Sequence, residues 1–273
     1  MEKIKITFLG TGTSTGIPMI GCPCNVCQSN NEKNKRLRTS IYVEYGELLK
    51  FIVDTGPDLR TQLLRENITK CDFAIITHDH SDHLHGIDDL RPFTFLPSRR
   101  TLPVFCHPLH SKVVENKFNY IFKRDEVFNK SNPYLGGGLP LLNLHDINEI
   151  EQLFPKINIE NVVLPHGSGH TTGLIIDKRF AYIIDCHEIP EDTVRKLQSY
   201  NLECLVIDCL QRQSHPSHLS LNKSFEYIQR ISPKSCYLIH MNHDLEHEEL
   251  EKLAQKTFKF HVAPAFDRQQ LNI

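Results

Sequence analysis

The stretch Asp72–His83, DFAIITHDHSDH, joins an apolar run to a dense group of polar side chains and decides how the rest of the chain is interpreted. Its first six residues have the β-branched character of a strand inside a sheet. The histidines two apart, His78 and His80, can reach one side of an extended turn. The adjacent Asp82 and His83 can turn towards a second centre. Because imidazole and carboxylate groups are good ligands for divalent transition metal ions, the stretch predicts metal ligands directly after a strand.

Three further candidate ligands lie where other predicted strands end. His166 follows the run NVVLP, Asp185 ends the run FAYIID, and His240 ends the run SCYLIH. We expect these strand ends to meet the histidine-rich stretch at one edge of a sheet, where a carboxylate can bridge two ions because its oxygens carry several lone pairs. Alternatives remain at this point: His170 competes with His166, and His243 competes with His240. Asp185 is also placed to cap the helix predicted near residue 190.

A second group of candidate ligands lies near the start of the chain, in a loop at residues 21–28. Cys22, Cys24 and Cys27 have the spacing C-x-C-x2-C, which suits a structural zinc ion that needs a fourth ligand. His243 is our candidate for that ligand, and a set of free thiols is the alternative. The remaining cysteines lie in or beside apolar runs and are predicted to be buried small hydrophobic residues: Cys71, Cys106, Cys186, Cys204, Cys209 and Cys236.

The amino-acid composition limits the kinds of partner that we expect the protein to bind. The chain has 273 residues, with 31 Lys plus Arg, 33 Asp plus Glu and a net charge of −2, so the basic surface typical of nucleic-acid binding is absent at the level of the whole chain. The apolar runs are too short for a membrane span or a signal peptide, and we expect a cytoplasmic protein. The expected partner is a small molecule. The oligomeric state, a homodimer included, stays open.

The pattern of elements predicts a mixed α/β (α+β) fold. Short β-type runs such as 4–9 and 40–45 occur beside segments of helical period such as 220–231. The links Tyr45–Glu47 and Asp177–Arg179 are short enough for hairpins, so the sheets should be partly antiparallel. A sandwich of two sheets with helices outside fits this pattern better than a doubly wound parallel sheet.

We predict one domain over residues 1–273, because the composition shows no clear boundary. The least regular stretch is 122–160, which contains Asn132-Pro133 and Gly136–Gly138 and reads as a long connection or as a loop near a site. Helices are predicted at 84–91, and at 244–256 with a start at Asp244.

With these residues in view, the chain resembles the metallo-β-lactamase superfamily over nearly its whole length. The motif H-x-H-x-D-H after a strand, the early Asp54-Thr55-Gly56 turn and the later His166, Asp185 and His240 carry the resemblance. It implies a four-layer αββα sandwich, with mixed sheets inside, helices on the outer faces and two metal ions at one edge.

Within that superfamily the chain is similar to the PhnP-type phosphodiesterases. The C-x-C-x2-C loop, the glycine-rich start Gly10–Gly16 and the segment His85–Pro92 carry this similarity. It implies a structural zinc ion held by the three cysteines and His243, and a general-acid histidine at His218, with His215 as the rival. The chain departs from the family at Gly173-Leu174, which concerns substrate contacts only.

The resemblance and the ligand chemistry together give the expected metal assignment. We expect one structural zinc ion and two divalent ions, Zn or Mn, in the active site. The first of the pair would be held by His78, His80 and His166, and the second by Asp82, His83 and His240. Asp185 would bridge them and act in catalysis together with His218, while Asp54 would orient a loop histidine. Arg91 is either a phosphate contact or a surface residue.

The expected activity is hydrolysis of a small phosphodiester, a nucleotide or ribose phosphate that includes cyclic forms. Three alternatives remain at the level of sequence. One is a ribonuclease similar to RNase Z, which the net charge of −2 disfavours. Another is a hydrolase of carboxylic esters, thioesters or lactams with the same fold. The last is a zinc-bound scaffold without activity.

Overall fold

A computed structural model describes residues 2–96, 98–128, 131–133 and 138–273, which contain two β-sheets flanked by helices. The strands are β1 (Ile4–Gly10), β2 (Ser40–Tyr45), β3 (Leu49–Val53), β4 (Phe73–Ile76), β5 (Leu102–Cys106), β6 (Leu142–Asp146), β7 (Ile159–His166), β8 (Gly169–Ile176), β9 (Phe180–Ile183), β10 (Cys204–Asp208), β11 (Ser235–Ile239), β12 (His261–Pro264) and β13 (Gln270–Asn272).

The helices are of α and 3-10 type. The α-helices are α1 (Leu59–Arg65), α2 (Ser81–Leu84), α3 (Pro108–Lys117), α4 (Asn119–Phe122), α5 (Arg124–Val127), α6 (Ile150–Leu153), α7 (Glu191–Ser199), α8 (Leu221–Ile231) and α9 (His247–Thr257). The 3-10 helices are Glu32–Asn34, Ile87–Thr94 and Ile147–Glu149. No helix in the described ranges combines the length and the apolar character that crossing a membrane requires.

The two sheets repeat one pattern of strand directions. The first has the order β13-β1-β2-β3-β4-β5-β6 and the second the order β12-β11-β10-β9-β8-β7. From β1 to β6, two antiparallel pairings are followed by three parallel ones. From β7 to β12, the same order of pairings recurs. The carboxyl ends of β3 and β4, and of β7, β9, β10 and β11, carry the candidate site residues.

Three apolar layers hold the sandwich together, as the resemblance implied. Alternate residues of each strand face the space between the sheets, and the others face the helices, because side chains alternate along a strand. The layer between the sheets includes Phe8, Phe73, Ile176 and Tyr182. The outer layers join the first sheet to α1, α3 and α4 and the second sheet to α7, α8 and α9, through residues that include Leu59, Val114, Ile121, Val194, Ile228 and Leu250. The αββα prediction is confirmed.

The structure differs from the sequence prediction at several elements. Residues 84–91 form the end of α2 and part of a 3-10 helix rather than one α-helix. Helix α9 begins at His247 rather than near Asp244, because the Glu246 carboxylate accepts a hydrogen bond from the Glu249 backbone amide and caps it. The stretch 122–160 contains α5, β6, α6 and the start of β7. Within it, residues 129–130 and 134–137, including Gly136 and Gly137, lie outside the described residues.

Replacing Phe73 by Ala tests the packing between the sheets. Phe73 is fully buried, and its ring centroid lies 4.5 Å from that of Phe51 and 5.5 Å from that of Phe105. Loss of an aromatic core side chain costs about 3–5 kcal/mol of unfolding free energy. We expect a loss of that size in urea denaturation, whereas Leu64→Ala, at a side chain 61% exposed, should change stability by less than about 0.5 kcal/mol. Equal losses in the two variants would contradict this account of the core.

Candidate metal centre

The structure brings the sequence-predicted ligands together at one edge of the sandwich, in two adjacent groups. Within each group the nearest donor atoms lie within 4.8 Å of one another. The first group is His78, His80 and His166, and the second is Asp82, His83, Asp185 and His240. These are the groups that the resemblance implied, with His166 and His240 in place of their rivals His170 and His243. The residues come from both sheets, because the carboxyl ends of the strands meet at this edge.

The carboxylate of Asp185 lies between the two groups. Its Oδ2 is 3.6 Å from His78 Nε2 and 4.0 Å from His166 Nε2 in the first group. The same oxygen is 3.2 Å from His83 Nε2 in the second group. Its Oδ1 is 3.4 Å from His240 Nε2. One carboxylate is thus shared by both groups, which is the geometry of a bridging ligand.

The buried nitrogens of the site fit a cation. His78 Nε2, His83 Nε2 and His240 Nε2 are buried and have no hydrogen-bond partner in the part of the chain that the structure describes. Asp185 Oδ1 is also buried and has no hydrogen-bond partner among the described residues. Buried polar atoms without a partner are uncommon in folded proteins, and several that converge on one carboxylate call for a ligand. Lone pairs of imidazole and carboxylate are the donors that divalent ions such as zinc prefer.

Hydrogen bonds from outside the two groups fix the imidazole rings. His83 Nδ1 donates to Asp54 Oδ2 over 2.7 Å, and the Thr77 backbone amide donates to Asp54 Oδ1 over 2.8 Å. His166 Nδ1 donates to the Ser217 carbonyl oxygen over 2.7 Å. A protonated Nδ1 leaves Nε2 with its lone pair, so these contacts prepare the opposite nitrogen to bind a metal ion. The orienting position that the sequence suggested for Asp54 is thus occupied as expected.

The two ligand groups differ in their electrostatics. Burial holds the pKa of His78 well below its usual value and lowers that of His166 to about 4, so both rings are neutral at neutral pH. Burial would also lower the pKa of His83, but the carboxylates of Asp185, Asp82 and Asp54 hold it well above its usual value. Burial alone would raise the pKa of Asp185, and the imidazoles of His240 and His83 hold it well below its usual value instead. A metal ion bound by the second group would therefore displace a proton from His83, because a ligating imidazole is neutral.

Three residues of the site have a left-handed backbone. They are Asp54 with φ 67°, Asp185 with φ 50° and His240 with φ 61°; Asp54 and His240 directly follow β3 and β11, and Asp185 is the second residue after β9. Residues other than glycine rarely adopt this conformation, because the Cβ atom crowds the backbone. Such strain persists where the surrounding structure holds it and is common at functional sites. The left-handed turn at each of these residues directs its side chain towards the edge of the sandwich where the ligand groups meet.

His218 lies beside the two groups and is held by an aspartate. Its Nδ1 donates to Asp208 Oδ2 over 3.1 Å, and its ring centroid lies 4.8 Å from those of His166 and His240. Burial lowers the pKa of His218, but the Asp208 carboxylate outweighs burial and raises it to about 9. His218 is therefore protonated at neutral pH and can donate a proton. The rival His215 lies further from the ligand groups than His218 does, and its ring centroid is 5.3 Å from that of His218.

Asp208 is a residue that the sequence reasoning missed. It is fully buried at the end of β10, and its Oδ2 also accepts from the Leu219 backbone amide over 3.3 Å. It therefore fixes both the loop and the ring of His218. The signal was present, because Asp208 ends the run CLVID as Asp185 ends FAYIID.

A cavity of about 440 Å³ opens beside the first ligand group. His170 lines it without belonging to the group, and so do His110 and Ser217. Arg91 is exposed, and its guanidinium lies 5.9 Å from the ring centroid of Phe95. It is absent from the described lining of the cavity, so the surface interpretation of Arg91 fits better than a phosphate contact.

The cysteine group is assembled as the sequence predicted. His243 Nδ1 lies 3.1 Å from Cys22 Sγ and 3.4 Å from Cys24 Sγ, and the ligand atoms of Cys22, Cys24, Cys27 and His243 all lie within 4.8 Å of one another. A hydrogen bond from the Cys27 backbone amide is the largest effect that lowers the pKa of Cys24, to about 6, so this thiol ionises readily. Three sulfurs and one imidazole nitrogen at this spacing fit a structural zinc ion.

Comparison with known proteins agrees with this geometry. The model of a family described as the beta-lactamase superfamily domain matches residues 50–241. A solved structure described as a new diphosphatase from the PhnP family is 29% identical and covers 99% of this chain and 98% of that chain, with a TM-score of 0.82. The human short-form tRNase Z is 14% identical and covers 98% of each chain, with a TM-score of 0.64, which shows a shared fold.

A curated protein of Porphyromonas gingivalis (strain ATCC BAA-308 / W83) is also similar to the chain. It is named octanoyltransferase and is 32% identical over 254 residues, which are 92% of this chain and 49% of that protein. The chain thus spans about half the length of this curated relative.

Replacing Cys24 by Ser tests the cysteine group. Loss of one thiolate should remove one bound zinc ion per chain and lower the melting temperature, because a structural zinc site contributes its binding energy to folding. Elemental analysis and a thermal melt measure the two effects. Cys106→Ala is the matched control, since Cys106 lies outside the group and should leave metal content unchanged. An unchanged zinc content in Cys24→Ser would contradict the assignment of a structural zinc ion to this group.

Proposed function

The chain belongs to the metallo-β-lactamase superfamily of hydrolases, and we propose that it hydrolyses phosphodiester bonds in small nucleotide or ribose phosphates, cyclic ones included. The observation that carries the proposal is the Asp185 carboxylate, whose Oδ2 lies within 4.0 Å of imidazole nitrogens in both ligand groups, with His218 held beside them by Asp208. A pair of cations suits the attack of water at a phosphorus centre, and a proton donor suits the departure of an alkoxide.

Similarity to a PhnP-family protein supports the choice of a phosphorus centre. That protein is described as a diphosphatase, and it matches this chain over almost the whole length of both. The cavity of about 440 Å³ has room for a small substrate. The net charge of −2 also disfavours a nucleic acid as the partner.

The ligand assignment follows the two groups. His78, His80 and His166 would hold one divalent ion, and Asp82, His83 and His240 would hold the other. Asp185 would contact both. Ions bound there would lower the pKa of a water molecule and offset the negative charge that develops on the phosphoryl oxygens. The neutral state of the His78 and His166 rings and the fixed Nδ1 protons of His83 and His166 prepare the chain for this binding.

His218 is the proposed general acid. Its ring lies beside His166 and His240, and Asp208 both holds its Nδ1 and favours the protonated ring. The free Nε2 can therefore deliver a proton to the leaving oxygen as the phosphorus–oxygen bond breaks. After the reaction, Asp208 keeps the ring in place while it takes up a proton again from water.

A second candidate function is hydrolysis of a medium-chain acyl ester or thioester. The name of the Porphyromonas gingivalis relative, octanoyltransferase, favours it, because transfer of an acyl group to water is hydrolysis. The cavity disfavours it, since its described lining is dominated by histidine, serine and glycine and offers little apolar surface to an octanoyl chain.

A substrate panel, run beside elemental analysis, tests the proposal. We expect the protein to hydrolyse bis(p-nitrophenyl) phosphate and a 2′,3′-cyclic nucleotide, with or without added Mn²⁺ or Zn²⁺. Hydrolysis of p-nitrophenyl octanoate or an octanoyl thioester in preference to the phosphodiesters would favour the second candidate. Cleavage of a precursor tRNA that weakens with rising salt would favour a ribonuclease instead.

Variants of the ligand groups belong to the same experiment. His80→Ala and Asp185→Asn should reduce phosphodiester turnover to background, since each removes a ligand. His80 is exposed, so its replacement should leave the melting temperature close to that of the metal-free protein. His261→Ala is the matched control, because His261 is exposed at the start of β12, away from the candidate centre. Full turnover in both ligand variants would contradict the proposal.

The role of His218 predicts a dependence on the leaving group. His218→Ala should lower kcat by about 10²–10⁴-fold for a diester with an alkoxide leaving group, which needs a proton. The loss should be much smaller with p-nitrophenolate, which leaves without one. The same comparison with His215→Ala should show small losses for both substrates. An equal loss on both substrates in His218→Ala would contradict the assignment, and a leaving-group dependence in His215→Ala would transfer the role to the rival.

A further inference from the structure

The cavity beside the first ligand group is also lined by a histidine outside the two ligand groups. His110, near the start of α3, lines this cavity and is 5% exposed. It does not belong to either ligand group, and its ring centroid lies 6.5 Å from that of His78. His110 therefore faces the space that a substrate would fill without being placed to hold the metal ions.

The ring of His110 is fixed by Asp79. His110 Nδ1 donates to Asp79 Oδ1 over 2.9 Å. Asp79 is fixed in turn, because Lys117 Nζ donates to its backbone carbonyl and lies 3.7 Å from its Oδ2. The hydrogen bond between His110 and Asp79 thus joins helix α3 to the loop that carries His78 and His80.

The other nitrogen of the ring is left for a ligand. His110 Nε2 is buried and has no hydrogen-bond partner among the described residues. A buried polar atom in this condition costs free energy unless something pairs with it. The neighbouring cavity is the place from which a partner can come.

The hydrogen bond to Asp79 decides what kind of group that partner is. A carboxylate oxygen only accepts, so His110 Nδ1 carries the proton of the ring, and Nε2 of that tautomer has a lone pair that accepts. An accepting nitrogen pairs with a hydroxyl group and repels an ionised phosphate oxygen.

We propose that His110 is a specificity-determining residue that accepts a hydrogen bond from a sugar hydroxyl of the substrate. The inference rests on the proposed function and adds a requirement to it: the phosphodiester must carry a hydroxyl on the group that enters the cavity. Asp79 and Lys117 act as positioning residues, which hold the ring in the accepting form.

The test compares the p-nitrophenyl esters of a ribonucleoside 5′-phosphate and of its 2′-deoxy and 3′-deoxy analogues. We expect the wild-type protein to prefer the ribonucleotide over one deoxy analogue by at least about tenfold in kcat/KM, because the analogue leaves Nε2 unpaired. His110→Leu should bring that ratio close to one, by a loss confined to the ester that has the hydroxyl. His110→Gln keeps an accepting oxygen and should restore part of the preference. His261→Leu is the control and should keep the wild-type ratio.

The outcomes separate this inference from the proposed function. If the wild-type protein hydrolyses none of the esters, the proposed function fails. If it hydrolyses all three equally, or if His110→Leu keeps the preference, the role of His110 is overturned while the phosphodiesterase stands. A loss of equal size on all three esters in His110→Leu would indicate a phosphate contact and would also overturn the proposal.

Discussion

The buried carboxylate of Asp185 is the constraint on which the rest of the structure depends. An ionised group removed from water costs several kcal/mol unless opposite charge or hydrogen-bond donors surround it. The groups that face this carboxylate are imidazole nitrogens from both sheets, with His78 and His83 on one side and His240 on the other, and a bound cation would supply the opposite charge. Because both sheets contribute these imidazoles, a cation held there would also link the two halves of the sandwich.

The repeated strand pattern explains why both halves contribute to one site. In each sheet the third strand of the pattern is followed within two residues by a left-handed aspartate, Asp54 after β3 and Asp185 after β9. Asp54 supports His83 from behind, whereas Asp185 faces the shared space. The sequence shows no matching repeat, because the pattern depends on strand direction and on apolar alternation, which many different residues satisfy.

His78, His166, Asp185 and His240 could be predicted as candidate ligands because each lies at the end of an apolar run, and strand ends of one direction meet at one edge. His80, Asp82 and His83 were found by their spacing after β4, and the resemblance implied the assignment of the full set. Contacts made by loops were harder to predict. Asp208 holds His218 only because the following loop folds back, and no spacing relates His110 to Asp79. Among the elements, β5 was missed because Pro103 disfavours a strand, and β13 because three residues carry no period. Patterning favoured two sheets with helices outside and the resemblance implied the αββα layers, whereas the ends of helices depended on caps such as Glu246.

The left-handed residues that follow the strands lower the stability of this protein. Glycine adopts that backbone without steric cost, whereas each ordinary residue held there stores about 1 kcal/mol or more. Glycine at Asp54, Asp185 or His240 would relieve this backbone strain but would also remove a buried side chain from which the centre is built. The strain therefore persists together with the centre, and greater heat resistance has to come from substitutions at other positions.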